Sequence, residues 1–126
     1  MGAENRKHER IRTGFLVRVT VPIGGDIHEG TCLNLSETGL FVQMLDPLPK
    51  GTEVNIELHL KPVDRVVHVD GVVIWTRPKM PDPRFPAGAG MKFDLVPTDV
   101  LVLIRESIAE QKKRLPDLPP FRKQEP

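Results

Sequence analysis

Two short groups of residues in the sequence have the chemistry to bind an anionic ligand that also carries hydrogen-bonding groups. The first is the basic segment Arg6-Lys7-His8-Glu9-Arg10, in which two guanidinium groups stand four residues apart. Guanidinium groups fork onto phosphate oxygens or onto the edge of a guanine. The second is Asn34-Leu35-Ser36-Glu37-Thr38-Gly39, where an amide and a hydroxyl alternate ahead of a glycine. Each group alone is also typical of ordinary structure, namely a solvated basic tail and a polar turn.

The second group has a geometric interpretation. Because side chains alternate along a strand, Asn34 and Ser36 are predicted to project from one face as the strand ends. Short polar side chains of this kind can hydrogen-bond a purine edge or a phosphate. Gly39 permits a positive φ and a close approach of backbone.

Short segments of predicted β-strand must position these residues. Apolar and polar residues alternate with the period of two that a half-buried strand requires, and Gly and Pro separate the segments. Strands are predicted at 15–21, 27–35, 40–45, 54–60, 66–75 and 87–95. The period then changes, and Leu101, Ile104 and Ile108 recur at the spacing of a helix over 98–114. The fold class is therefore mostly β, a small antiparallel barrel or sandwich with one C-terminal helix.

Length and composition limit the organisation of the chain. It has 126 residues, of which 39% are hydrophobic and 28% are charged, a mixture that suits one folded domain. We expect a flexible basic arm at 1–14, the folded domain at 15–114, and a proline-rich disordered tail at 115–126. The formal net charge is +1, so a globally basic nucleic-acid binder is not indicated.

The sequence also predicts a compartment. Its longest aliphatic run, 100–104, is far too short to span a membrane, and no cationic and apolar leader opens the chain. The single cysteine, Cys32, cannot form an internal disulfide, which fits a reducing cytoplasm. We therefore expect a cytoplasmic protein without membrane insertion.

Signals of catalysis or metal binding are weak. The four histidines form no close pair and no zinc-like spacing with Cys32, and they are predicted to be exposed strand or arm residues. Cys32 lies in an apolar strand and is predicted to be a small core residue rather than a nucleophile. No pair of carboxylates suits acid–base work, and no loop suits phosphate binding ahead of a helix. We expect neither an enzyme nor a metal site.

The order and separation of the two groups are more specific than either group. Arg-x-x-x-Arg before a first strand, followed by Asn-x-Ser-x-x-Gly between later strands, resembles the PilZ domain family of bacterial receptors for cyclic di-GMP. The segments Gly71-Val72-Val73-Ile74-Trp75 and Gly88-Ala89-Gly90-Met91-Lys92-Phe93 and the closing helix are also similar to the family. The resemblance implies a six-stranded antiparallel barrel with a C-terminal helix, which binds the dinucleotide on its surface.

The resemblance also implies site residues. Arg6 and Arg10 match the arginine motif, which wraps around the ligand, and Asn34, Ser36 and Gly39 match the second motif, which lines the opposite wall. Asn5 stands where family members that bind a ligand dimer often carry another arginine, which favours one ligand per site. The arm is expected to become ordered on binding cyclic di-GMP, and the changed surface to be read by an unidentified partner protein. No other cofactor is implied.

Three other functions compete with this one. A PilZ-like interaction module that does not bind the nucleotide is opposed by the intact motif residues. A barrel that binds single-stranded nucleic acid needs aromatic platforms on a basic face, yet aromatics make up only 5% of the chain. Trp75 lies in an apolar strand, where core packing is the expectation. An enzyme is opposed because no nucleophile, base and oxyanion donors assemble.

Overall fold

Alternating apolar residues build six strands that close on themselves. The computed structural model describes residues 10–114. The elements are β1 Ile11–Thr20, β2 Ile27–Leu35, β3 Gly39–Gln43, β4 Glu53–Leu60, β5 Arg65–Arg77, β6 Gly88–Phe93 and α1 Thr98–Arg114. All strand pairs are antiparallel, and the strand order around the closed barrel is β1-β2-β3-β6-β5-β4. The predicted fold class is therefore confirmed.

Alternation places one side of every strand in a common core. In β4, Val54, Ile56, Leu58 and Leu60 are buried, and the residues between them are more exposed. The core also contains Cys32, which is fully buried as predicted. Because the barrel closes, each of the described strands lies between two neighbouring strands.

The predicted boundaries hold for β2 and α1 and shift elsewhere. β1 begins at Ile11 rather than at position 15, because the Ile11 side chain is buried and the residue pairs with Leu35. β3 and β6 end earlier than predicted, since Leu45 and Leu95 are 93% and 96% exposed. Both strands were predicted too long because apolar residues follow the last residue that pairs with a neighbouring strand.

Helix α1 crosses one end of the barrel. Ile104 is fully buried, and the Ser107 hydroxyl donates to the Lys61 carbonyl oxygen at 2.6 Å, next to the turn between β4 and β5. Arg105 forms an ion pair with Glu37, in the turn between β2 and β3, at 3.1 Å. The helix therefore contacts two turns at the same barrel end. The helix residues that contact the core are Val100, Leu103, Ile104 and Ile108. The predicted apolar stripe included Leu101, which is not one of them.

Candidate functional site

One row of paired residues runs across five strands on the outside of the barrel. Arg12 pairs with Asn34, Asn34 with Phe41, Phe41 with Gly90, and Gly90 with Trp75. Neighbours of this row along the strands have their side chains in the core: Ile11, Leu35, Leu40 and Met91. The row therefore faces outward, and we call it the outer row. Three inter-strand spacings of ~4.8 Å place Trp75 about 14 Å from Asn34 across the sheet.

Register shifts interrupt the sheet beside this row. In the described part of the chain they lie between Arg12 and Phe15, between Cys32 and Asn34, and between Val73 and Trp75. Each shift adds an extra residue to one strand of a pair, as a β-bulge does. A bulge changes the direction of the residues that follow it. Cys32 and Val73 accordingly point into the core, whereas Asn34 and Trp75, each two residues later, point out.

The two sequence motifs meet at Asn34. Arg10 directly precedes β1, and its Nη1 donates a hydrogen bond to Asn34 Oδ1 at 2.7 Å, across 24 residues of sequence. The pairing of Ile11 with Leu35 brings them together, because it sets the start of β1 beside the end of β2. Arg6, the other predicted arginine, lies outside the described residues.

Ser36 does not project beside Asn34, contrary to the prediction from alternation. β2 ends at Leu35, so the strand period does not continue into the turn. Ser36 is only 2% exposed, and its Oγ accepts a hydrogen bond from the Thr38 backbone N–H at 3.2 Å. The same hydroxyl lies 3.4 Å from the Gly39 carbonyl oxygen and 3.3 Å from Thr38 Oγ1. Ser36 therefore fixes the shape of the turn that follows Asn34.

Gly39 is required for close approach and not for a positive φ. The described glycines with positive φ are Gly24, Gly25 and Gly51. A Cβ built on Gly39 would overlap the carbonyl oxygen of Met91 on β6. The missing side chain thus lets β3 and β6 lie close together beside the turn.

An aromatic cluster occupies the far end of the outer row. Phe41 and Trp75 stack with ring centroids 5.1 Å apart and an interplanar angle of 14°. The Arg77 guanidinium lies 5.4 Å from the Phe41 ring, 5.3 Å from the Trp75 ring and 5.6 Å from the Phe85 ring. Phe41 is buried, but Trp75 is 39% exposed. The prediction that Trp75 packs in the core is therefore wrong.

Sequence reasoning missed this cluster, although one signal for it was present. Gly88 and Gly90 stand two residues apart on β6. A Cβ on Gly88 would overlap the Phe41 ring, and one on Gly90 would overlap the Trp75 indole nitrogen. Two glycines on the same face of one strand leave space for large side chains from the neighbouring strands.

The remaining predictions about chemistry concern Cys32 and the histidines. Burial raises the pKa of the Cys32 thiol to about 12, so the thiol is neutral at physiological pH. His28 and His59 are half-buried rather than exposed, whereas His68 is exposed as predicted. The Nε2 of His28 has no hydrogen-bond partner among residues 10–114. Over the same residues, no group of three or more His, Cys, Asp or Glu side chains could hold a metal ion.

Comparison with protein families decides what kind of domain this is. The sequence profile described as the PilZ domain matches residues 4–110. The chain belongs to the PilZ domain family. No curated protein matches it at a significant level.

Solved structures with low sequence identity share this PilZ fold. The PilZ domain of YcgR from Escherichia coli with c-di-GMP is 17% identical, with a TM-score of 0.67, over 90% of this chain and 99% of that one. YcgR from Escherichia coli in complex with c-di-GMP is 16% identical with a TM-score of 0.73, over 90% of this chain and 48% of that one. The MrkH–c-di-GMP complex from K. pneumonia is 19% identical with a TM-score of 0.70, over 87% of this chain and 55% of that one.

This PilZ domain spans about half the length of the YcgR and MrkH chains. In residues 10–114, no helix is both long and apolar enough to cross a membrane.

Proposed function

We propose that this PilZ domain is a receptor for cyclic di-GMP, which binds along the outer row and changes a surface that a partner protein reads. The ligand carries two phosphates and two guanines, so its site needs fixed cations, hydrogen-bonding groups for the base edges, and flat apolar surfaces. The outer row and its flanking arginines offer all three. Binding of c-di-GMP by YcgR and MrkH, which share the fold, supports the choice of ligand.

The hydrogen bond from Arg10 to Asn34 carries this proposal. It joins the arginine motif to the Asn-x-Ser-x-x-Gly motif at 2.7 Å, so one small ligand can contact both. Arg10 is exposed and has further N–H donors, because a guanidinium carries five. One ligand can therefore accept hydrogen bonds from Arg10 while Asn34 holds the guanidinium in place.

The aromatic end of the outer row adds the stacking surface. Trp75 is held in place by Phe41 and Arg77, so its exposed part is available to a base without rearrangement of the indole. The distance of about 14 Å from Asn34 to Trp75 is on the scale of a dinucleotide. One guanine would stack on Trp75 while the phosphates and the other guanine meet the arginines.

The remaining motif residues have distinct parts in the proposed site. Arg6 joins Arg10 around the ligand, which brings the segment before β1 into the bound complex. Ser36 and Gly39 set the turn and the β3–β6 approach that hold Asn34 in position. Ordering of the arm by the ligand costs roughly 1–2 kcal/mol per residue, which charge-assisted hydrogen bonds of about 1.5–3 kcal/mol each can offset.

The bound state is proposed to reach its partner in the cytoplasm through the arm and the turn beside it. Glu37 in this turn forms the ion pair with Arg105 on α1, so a shift of the turn acts directly on the helix. The turn and the helix thus form one continuous region for a partner protein to contact.

Calorimetric titration of the whole chain with cyclic di-GMP tests the proposal. We expect binding by the wild type, a loss of about tenfold or more for Arg10→Ala, and a weaker loss for Ser36→Ala. Arg18→Ala is the matched control, because Arg18 lies six residues beyond Arg12 on β1, where it pairs with Glu29 at 3.0 Å. This variant should bind like the wild type.

Two outcomes would overturn the proposal. The first is no binding of cyclic di-GMP by the folded wild type, which would leave an interaction module without a nucleotide. The second is equal affinity in the wild type and Arg10→Ala. Tighter, salt-dependent binding to a single-stranded oligonucleotide would instead favour a nucleic-acid function.

A further inference from the structure

Lys92 is a cation at the centre of the proposed ligand face that the sequence motifs leave out. It is exposed on β6, and its neighbours Met91 and Phe93 are buried, so its side chain points out of the barrel. It pairs with Gly39 across the β3–β6 ladder. It also lies two residues along β6 from Gly90, over which the Trp75 indole sits. Lys92 therefore stands between the turn and the aromatic cluster.

Gly39 leaves the approach to Lys92 open. A Cβ on Gly39 would come within 3.3 Å of the Lys92 Cα. Because the glycine has no side chain, nothing from position 39 stands between the lysine stem and the space beside the turn. Thr38 is exposed, and its carbonyl oxygen accepts the Phe93 N–H at 2.8 Å, which fixes this part of β6 against the turn.

The charge of Lys92 is not neutralised within the described part of the chain, where no hydrogen bond or ion pair of its side chain is found. Five other cations of the described surface do have carboxylate partners there: Arg18, Lys61, Arg84, Arg105 and Lys113. An ammonium without a carboxylate, on the face that also carries Arg10 and Arg12, attracts an anion.

We propose that the Lys92 ammonium contacts a phosphate of the bound cyclic dinucleotide, as a binding residue outside the two motifs. This inference rests on the proposed function. Arg10 reaches the ligand from one side at Asn34, and Trp75 takes a base on the other side. A phosphate that links the two ends of the ligand passes over β3 and β6, where Lys92 and Gly39 form a pair.

The test is calorimetric titration of Lys92→Met with cyclic di-GMP at low and high salt. Methionine keeps an unbranched stem of similar length and removes only the charge. We expect affinity to fall about tenfold at low salt, with a less steep dependence on salt than in the wild type. Lys92→Arg should retain most of the affinity, because a guanidinium also binds phosphate.

Lys61→Met is the control for the loss of one positive charge. Lys61 is exposed directly after β4, the one strand that the outer row does not cross, so its substitution should change neither affinity nor salt dependence. Wild-type affinity and salt dependence in Lys92→Met would overturn the inference, provided that Arg10→Ala has lost binding. If the wild type itself does not bind cyclic di-GMP, the proposed function fails, and the role of Lys92 fails with it.

Discussion

Trp75 offers the sharpest test of where a base would lie, because the chain contains no other tryptophan. Stacking of a base on an aromatic side chain contributes about 1–3 kcal/mol, which corresponds to roughly 5- to 150-fold in affinity. The indole is 39% exposed and its remaining surface packs on Phe41, Arg77 and Gly90, so a base would contact the exposed part. We therefore expect Trp75→Ala to weaken cyclic di-GMP binding about tenfold, and Trp75→Phe to weaken it less.

The effect on stability must be separated from the effect on affinity. Substitution removes the stack on Phe41 and the cation–π contact with Arg77, together about 1–2 kcal/mol, and also the apolar surface that the partly buried indole covers. It removes no part of the main core cluster, to which Trp75 does not belong. Urea denaturation followed by circular dichroism measures this loss, and the titrations can then use concentrations and temperatures at which the variant is folded.

The wild type reports on the contact directly. Titration with cyclic di-GMP should quench or shift the fluorescence of Trp75, with the midpoint that calorimetry gives. Phe85→Ala is the control, because Phe85 is 45% exposed and also contacts Arg77, but it lies in the loop between β5 and β6 and outside the outer row. Calorimetric binding with unaltered fluorescence, together with wild-type affinity in Trp75→Ala, would refute a base on this surface.

Two further predictions concern the framework of the site. Gly39→Ala should lower the free energy of unfolding by about 1–3 kcal/mol in urea titrations, since its Cβ overlaps the Met91 carbonyl oxygen, whereas Gly14→Ala, with nothing within 4 Å of its Cβ, should change stability little. Equal stability of the two variants would contradict the close-approach explanation. Burial raises the Cys32 pKa from 9.0 to about 12, so iodoacetamide at pH 8.5 should label the unfolded chain but not the native one. Between these two pKa values the unfolded thiol loses its proton and the native one keeps it, so stability should fall as pH rises, and Cys32→Ala should lack this contribution. Rapid labelling of the native protein by iodoacetamide would contradict the burial of the Cys32 thiol.

Much of the barrel could be predicted from the sequence because its strands obey a simple period. Val54 to Leu60 alternates without interruption, and β4 forms there with its apolar side chains in the core. The helix was likewise predicted at 98–114, where the period changes. Errors occurred at strand ends, because an apolar residue such as Leu45 or Leu95 looks like a continuation of the strand. Only the ladder partner decides where pairing stops.

The candidate site was predictable in part, for a different physical reason. A motif can indicate that Arg10 and Asn34 belong to one site, but the pairing of Ile11 with Leu35 is what brings them within 2.7 Å. The exposure of Trp75 could not be predicted from alternation. Val67, Val69 and Val73 are buried at even spacing, and the same rule would bury Trp75.

The errors and the site have a common origin in the bulges. The three register shifts found in the described strands all border the outer row, in β1, β2 and β5. At two of them the extra residue turns the next side chain from the core to the surface, which exposes Asn34 and Trp75. A regular barrel with this sequence would bury an amide and an indole N–H without obvious partners, at a cost of several kcal/mol. The bulges avoid that cost and place the Asn34 amide and the Trp75 indole on the same outer face of the barrel. Deletion of Ile74, the extra residue of β5, would set Trp75 directly after Val73, and simple alternation then also points Trp75 outward, opposite Gly90. The fluorescence response to cyclic di-GMP should therefore persist in this variant, and its loss from a folded variant would contradict this account of the bulge.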